Sequence, residues 1–281
     1  MSVYYIVFLF TTNNTLSALT LENLETAFYQ QGFAKFPDTD FAALGLTATD
    51  ISNLKAVAAT EAVHVTALTG AVSGAGFAPV VPCTYNFGFT TAAAMVATAG
   101  VLENIGVSAY MGAAPLVASP AILTVAAEIL TVESRHQTFI RTASKLAAIP
   151  SAFDTPLGVK SVFSMAAGFI ASCPEGSNLK LTAFPALTMA PMAGANASAM
   201  PTMPVGTSLA LTTTATGATE CAFVNGGAPG GTVFIPFTAG ACAVPAGVSG
   251  VTYVHLTSSA PADNVLTDAI VVAGVLPIVV T

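Results

Sequence analysis

The sequence predicts an α+β multidomain protein. A four-helix bundle with a short fifth helix is expected over residues 1–175, followed by a C-terminal β-sandwich of immunoglobulin-like type over residues 176–281. Two changes of pattern along the chain predict this. Up to residue 171 the chain runs in long stretches of Ala, Leu, Val and Met at helical spacing with few breakers, and after Cys173 it turns to short alternating runs rich in Thr and Val, separated by Gly and Pro. A third observation is the composition: 54% of the 281 residues are hydrophobic, ample material for two cores.

The main helices are expected over 15–36, 48–72, 89–113 and 119–147, and the fifth over 156–171. Thr47 followed by Asp50 has the form of a capping box, Ser119 before Pro120 pairs a cap with proline at the first helical position, and Gly74 with Gly76 closes the second helix. At about 1.5 Å per residue the four helices are roughly 30 to 45 Å long, matched well enough to bundle. The segment 72–89, with Pro79, Pro82 and Cys83, is long enough to run from one end of the bundle to the other, which permits a crossover topology. Strands are expected in "SLALTTTA", "TVFIPF", "VTYVHLTS" and "IVVAGVLPIVV", with 183–205 as a linker or an irregular first strand. The run "NGGAPGG" at 225–231 is not followed by Lys and a helix, so it reads as a turn and not a phosphate cradle.

Composition also excludes partners. A net charge of -7 with seven basic residues gives no electrostatic footprint for nucleic acid, and no basic amphipathic stretch suits an anionic membrane surface. No segment reads as a membrane span of about 18 uninterrupted apolar residues; the nearest, 112–132, contains Pro115, Pro120 and Glu128. The start, "MSVYYIVFLF", is apolar but lacks a basic n-region and a small-residue cleavage site, so it reads as a signal remnant, an altered start or a segment packed on the domain.

Cys83, Cys173, Cys221 and Cys242 lie far apart without a C-x-x-C, which argues against zinc or thioredoxin chemistry. Two structural disulfides are expected: Cys221 with Cys242 inside the β-domain, and Cys83 with Cys173, tying the crossover to the end of the fifth helix. Sequons at Asn13 and Asn196 agree with a secreted, extracellular protein; reduced cysteines in a cytosolic protein are the other reading.

With only 7% of residues charged, each ionisable group inside an apolar helix needs a reason. Glu133 and His136 form E-x-x-H on the fourth helix, and Glu61 and His64 form a second E-x-x-H on the second helix, each pair on one helical face. The first helix carries "LENLETAFY" and the third "LENIGVSAY". The offset from Glu22 to Glu103 and from Tyr29 to Tyr110 is 81, and from Glu61 to Glu133 it is 72, so a helix pair is weakly duplicated. The order is then Glu, Glu-x-x-His, Glu, Glu-x-x-His over four helices, the pattern of di-iron or di-manganese carboxylate bundles.

Four buried carboxylates repel one another and are costly to desolvate, and two divalent cations neutralise them. Glu61 and Glu133 would bridge two Fe or Mn ions, Glu22 and Glu103 would be terminal ligands, and His64 and His136 would each bind one ion; oxygen ligands with one nitrogen per metal suit these ions. Glu25 lies one turn from Glu22 and competes with it, but its equivalent on the third helix is Gly106, so the repeat favours Glu22 and leaves Glu25 beside the site. Tyr29 and Tyr110 either hydrogen-bond ligand carboxylates, act as redox neighbours, or are core residues with satisfied hydroxyls. His255, alternating with Val251 and Tyr253, reads as structural.

The segments "LTLENLETAFY", "TEAVHV", "LENIGVSAYMGAAPL" and "ILTVESRHQTFIR" resemble the ferritin-like domain of a fungal stress-response and desiccation-related family, over residues 16 to about 175. The tail, with "VPAGVSGVTYVHLT" and "LTDAIVVAG", also resembles secreted fungal members. The resemblance implies a secreted protein with a bundle and an appended β-domain, and adds little about the reaction. From the site, the expected function is a metalloprotein whose dinuclear centre acts on oxygen or peroxide as an oxidoreductase. The alternative is a structural or surface-interaction protein of the cell wall or extracellular layer, self-associating as a homo-oligomer with the bundle as scaffold, since the four site glutamates hold more than half of the net charge.

Overall fold

In a computed structural model of the chain, residues 2–281 are described apart from Gly176, 178–180 and 191–199, and side chains are described from Ser17 onward. The side chains of the apolar start and Asn13, together with Asn196, lie outside the described residues.

The helical elements are α1 (Ser2–Lys35), α2 (Asp38–Ala42), α3 (Ala48–Gly74), α4 (Ala92–Ala113), α5 (Pro120–Ala143) and α6 (Val159–Ala166). Their ends follow from local chemistry. Thr47 Oγ1 accepts from Asp50 N at 3.1 Å while Asp50 Oδ2 accepts from Thr47 N at 2.8 Å, which closes the capping box. Ser119 caps α5 with Pro120 behind it, and Thr91 caps α4, so that helix starts at Ala92 and not at 89.

α5 stops at Ala143, short of the expected 147. Lys145 adopts a left-handed φ of 60°, Leu146 N bonds Arg141 O, and Lys145 N bonds Thr142 O, a Schellman stop formed without glycine. α3 ends in the same way, with Gly76 at φ 83° and Phe77 N on Val72 O. The short α2 was not expected from the sequence; its Phe41 is fully buried.

α1 packs on α3 and α4 on α5, with α1–α4 and α3–α5 contacts closing the bundle. The crossover between α3 and α4 contains β1 (Thr84–Tyr85), paired with β2 (Ile170–Ser172), and Cys83 is bonded to Cys173 with Cα atoms 4.3 Å apart. Tyr85, Phe87 and Phe89 are buried from this segment, and Phe87 and Phe89 stand edge-on to Phe28 of α1. Among the described residues one helix, Ala92–Leu116, is long and apolar enough to cross a membrane, which differs from the 112–132 segment singled out in the sequence. Two-thirds of its most apolar window is buried inside the protein, as for a core helix.

Among the described residues the β-rich region forms two sheets. β4 (Thr202–Met203), β10 (Val271–Val280), β9 (Gly250–Thr257), β6 (Glu220–Val224) and β7 (Thr232–Pro236) lie side by side in that order, with β4 parallel to β10. The second sheet holds β3 (Thr188–Met189), β5 (Ser208–Thr212) and β8 (Ala241–Ala243). Leu209 and Leu211 of one sheet and Phe223, Val254, Leu256 and Ile278 of the other share one core. The Cys221–Cys242 disulfide joins β6 to β8 and therefore crosses between the sheets, with Cα atoms 6.5 Å apart. The NGGAPGG run is the β6–β7 turn, with Gly230 at φ 69°.

The chain divides into two compact units: Met1–Ala148 with Ala166–Leu181, and Ile149–Met165 with Thr182–Thr281. It crosses between them three times, whereas the composition change at 175/176 predicts one crossing. The reason lies on β9, which is buried on both faces. Val254 and Leu256 face the sandwich core, while on the other face Ser161 meets His255 Nε2 at 3.0 Å, and Thr155 Oγ1 donates to Val251 O at 2.8 Å. The fifth helix thus belongs to the β unit over most of its length, and its regular part is only Val159–Ala166.

Opposite His255 stands Gly274, where a Cβ would come within 2.6 Å of the imidazole Cδ2. Burial, outweighing a bond with the Tyr253 backbone, holds the His255 imidazole down at about 4 from an ordinary 6.5. Between those two values the unfolded chain binds a proton that the folded chain refuses. This contribution is therefore complete above pH 6.5 and falls by about 3 kcal/mol as pH drops to 4. Protection factors along β9, corrected for the intrinsic pH dependence of amide exchange, are expected to fall as pH drops through that window in the wild type and much less in His255→Gln. Equal pH dependence in both would show that another group governs it.

Candidate metal centre

The buried stripe of α3 runs Ile51, Leu54, Val57, Glu61, His64, Leu68, Val72, so the acidic and basic residues occupy ordinary core positions of an amphipathic helix. α5 does the same with Ile129, Glu133, His136 and Ile140. On α1, Glu22, Glu25 and Tyr29 are spaced three and four apart, and Glu103, Gly106 and Tyr110 repeat that spacing on α4. All six expected ligands are buried: Glu61, Glu103 and Glu133 are wholly inaccessible, Glu22 is 1% exposed, and the two histidines are 6–7% exposed. Glu128 is exposed, as its place on the helix requires.

The four helices bring these groups together as two sets, Glu22, Glu61, His64 and Glu133, and Glu61, Glu103, Glu133 and His136. Within each set the ligand atoms all lie within 4.8 Å of one another. Glu61 and Glu133 belong to both sets. His64 Nδ1 is 3.2 Å from carboxylate oxygens of Glu22, Glu61 and Glu133, and His136 Nδ1 is 2.8 Å from Glu61 and 3.1 Å from Glu103. The imidazole rings lie 6.1 Å apart at 28°.

The tyrosines pair crosswise. Tyr29 of α1 donates to Glu103 Oε1 of α4, and Tyr110 of α4 donates to Glu22 Oε1 of α1 at 2.5 Å. Each terminal carboxylate is thus held by a hydroxyl on one oxygen and faces a histidine with the other.

Sequence reasoning missed three residues here. Gln137 donates to Asn104 inside the helix contact. Thr60, one residue before Glu61, gives its proton to Val57 O at 2.7 Å and lies 2.9 Å from His136 Nε2. Its oxygen therefore accepts Nε2–H, which leaves Nδ1 directed at the carboxylates. At the position equivalent to Thr60 before Glu133 stands Val132, so this support exists on one side of the site alone.

Electrostatics describe a cluster built for cations. Burial raises Glu22 to about 7 and, reinforced by neighbouring carboxylates, holds Glu25 and Glu133 well above the ordinary range. Burial also raises Glu103 and drives both tyrosine hydroxyls well up. It opposes the charge of Glu61 too, yet bonds from His136 and His64 bring that carboxyl down to about 2. Burial disfavours the imidazolium forms, but the surrounding carboxylates outweigh it, lifting His64 to about 12 and His136 to about 10.

Even with both histidines charged the polar groups do not saturate one another. Glu61 Oε1 and Glu133 Oε1 lie at ion-pair distance from imidazoles without hydrogen-bond geometry, and Glu133 Oε2 and Glu25 Oε2 are buried without a hydrogen-bond partner. One Nδ1–H of His64 cannot serve three acceptors, whereas a cation can. The donor set of oxygens with one nitrogen per position therefore fits a pair of divalent ions.

A family model of the ferritin-like domain matches residues 15–146, the span that supplies all six groups. The chain is also similar to Protein rds1 of Schizosaccharomyces pombe, 28% identical over 173 residues, which are 60% of this chain and 42% of that protein. The matched stretch thus spans less than half the length of this curated relative. Bundle, site and match agree: residues 15–146 are similar in sequence to the ferritin-like domain family.

Proposed function

We propose that the helical unit is a dinuclear iron or manganese centre that acts on oxygen or peroxide in a secreted protein. The observation that carries this reading is the sharing of Glu61 and Glu133 by two buried sets that each contain one histidine. When bound, the metal pair would supply the redox chemistry. The chain's own residues would do the rest: Glu61 and Glu133 set the separation of the two positions, and Glu22 with His64 and Glu103 with His136 close one side each.

Tyr110 and Tyr29 neutralise part of the charge on the terminal carboxylates and fix their rotamers. The helices exclude bulk water from the site. An apolar cavity of about 200 Å³, lined among others by Ala18, Leu68, Val117 and Val125, reaches Tyr110, whose hydroxyl holds Glu22. A small uncharged reactant suits such an approach. Two disulfides support secretion, and removal of peroxide accords with the stress-response association of the resembling family.

Ligation requires neutral imidazoles and ionised carboxylates, so loading releases protons and affinity should weaken as pH falls. The deciding test is metal content after expression with added iron or manganese, followed by oxygen and peroxide consumption. About two ions per chain with turnover is the expected result. Less than about a tenth of an ion per chain would sink the reading.

A further inference from the structure

We infer that Glu25 is a fifth carboxylate of the metal centre, placed beside the Glu133 bridge, and that it biases the centre toward its higher-valent state. This rests on the dinuclear reading above. The surroundings of Glu25 make it unlike any surface acid. It is 2% exposed, its Oε2 has no hydrogen-bond partner, and the carboxylates of Glu133, Glu22, Glu61 and Glu103 all act on it, with Glu133 foremost.

The room for it comes from the third helix of the bundle. A Cβ at Gly106 would stand 2.5 Å from Glu133 Oε2 and 3.4 Å from Glu25 Oε1, so both carboxylates converge on the space that glycine leaves open. Gly106 occupies on α4 the position that Glu25 occupies on α1. The two halves of the bundle therefore do not contribute equally: α1 offers two carboxylates, α4 offers one and a gap, and the second α1 carboxylate fills that gap against the bridge.

Charge gives the consequence. In the metal-free site burial and the carboxylates around it hold Glu25 toward its neutral form, and two cations beside it reverse that repulsion and ionise it. Four carboxylates then balance two divalent ions, and the fifth leaves a surplus negative charge in a water-poor site, where it is poorly screened. That surplus is cancelled when one ion loses an electron, so Glu25 favours the oxidised form at equilibrium with any external acceptor. The neutral amide of Glu25→Gln removes the surplus while keeping shape and volume.

The test uses the full chain loaded with Fe(II) without oxygen, titrated against mediators of known potential, with wild type and Glu25→Gln compared. The variant is expected to keep two ions per chain, and its ratio of oxidised to reduced centre at fixed potential should fall at least about tenfold, a shift of about 59 mV for one electron. Loss of iron from Glu25→Gln with an unchanged melting temperature in metal-free buffer would also assign Glu25 to the ligand set. Two ions with wild-type affinity and potential would overturn this inference and leave the dinuclear reading standing. A wild type that takes up no metal would overturn both. Because any variant can fold poorly, the loaded wild type gives an independent check: a crystal structure in which no Glu25 oxygen lies within about 2.6 Å of a metal, and none is hydrogen-bonded to a metal-bound group, rejects the assignment.

Discussion

Glu61→Ala is expected to empty both metal positions together, leaving less than about a tenth of wild-type metal, because its carboxylate belongs to both four-residue sets. Glu133→Ala should do the same. His64→Ala differs in kind: its nitrogen faces Glu22, Glu61 and Glu133 and belongs to one set, so one position should weaken while the other keeps its ligands. Elemental analysis with isothermal titration separates the two outcomes. If Glu61→Ala retains one ion per chain at near wild-type affinity, Glu61 is a ligand of a single position and the bridging assignment fails.

Metal loading is expected to stabilise the helical unit strongly. At free metal about 100 times the dissociation constant, each site adds about 2.7 kcal/mol, so two sites raise the melting temperature by on the order of 10–20 °C for a unit of this size. Chelation should reverse the gain, because the orphaned oxygens of Glu61, Glu133 and Glu25 are then left in a dry core. A Glu133→Gln variant removes the site carboxyl whose charge burial and the neighbouring carboxylates penalise, and keeps Glu61, whose pairing with His64 and His136 favours the fold. In metal-free buffer it should melt above the wild type, which would identify the site as a functional burden on the fold. A melting temperature that chelation leaves unchanged, while metal is shown to leave, would mean that the six residues do not form a buried dinuclear site.

Much of the site was legible because helical spacing is a local property. Glu61 with His64 and Glu133 with His136 each fall on one face at three residues' separation, and the apolar residues around them identify that face as the buried one. Choosing between Glu22 and Glu25 was beyond local reasoning. The repeat favours Glu22, and the structure buries both, because Gly106 on another helix makes space for the second carboxylate.

The tyrosines make the same point. Each lies two turns from a glutamate of its own helix, yet each hydroxyl reaches the glutamate of the other helix, 74 and 88 residues away in sequence. Thr60 carried no signal at all, since a threonine beside a helix motif is ordinary until His136 is placed next to it.

By itself the sequence determined the two-part architecture, the four long helices and the residues that share a buried face, since periodicity, caps and turn residues act over a few positions. Only the tertiary structure decided which side chains meet across helices, that the Cys221–Cys242 bond spans the two sheets, and that residues 149–165 cover the second face of β9. Those outcomes depend on which apolar surfaces are left to be covered once the elements have formed. An amphipathic segment such as Val159–Ala166 shows that it needs a partner, and not which one; the partner is set by packing between residues about 90 positions apart.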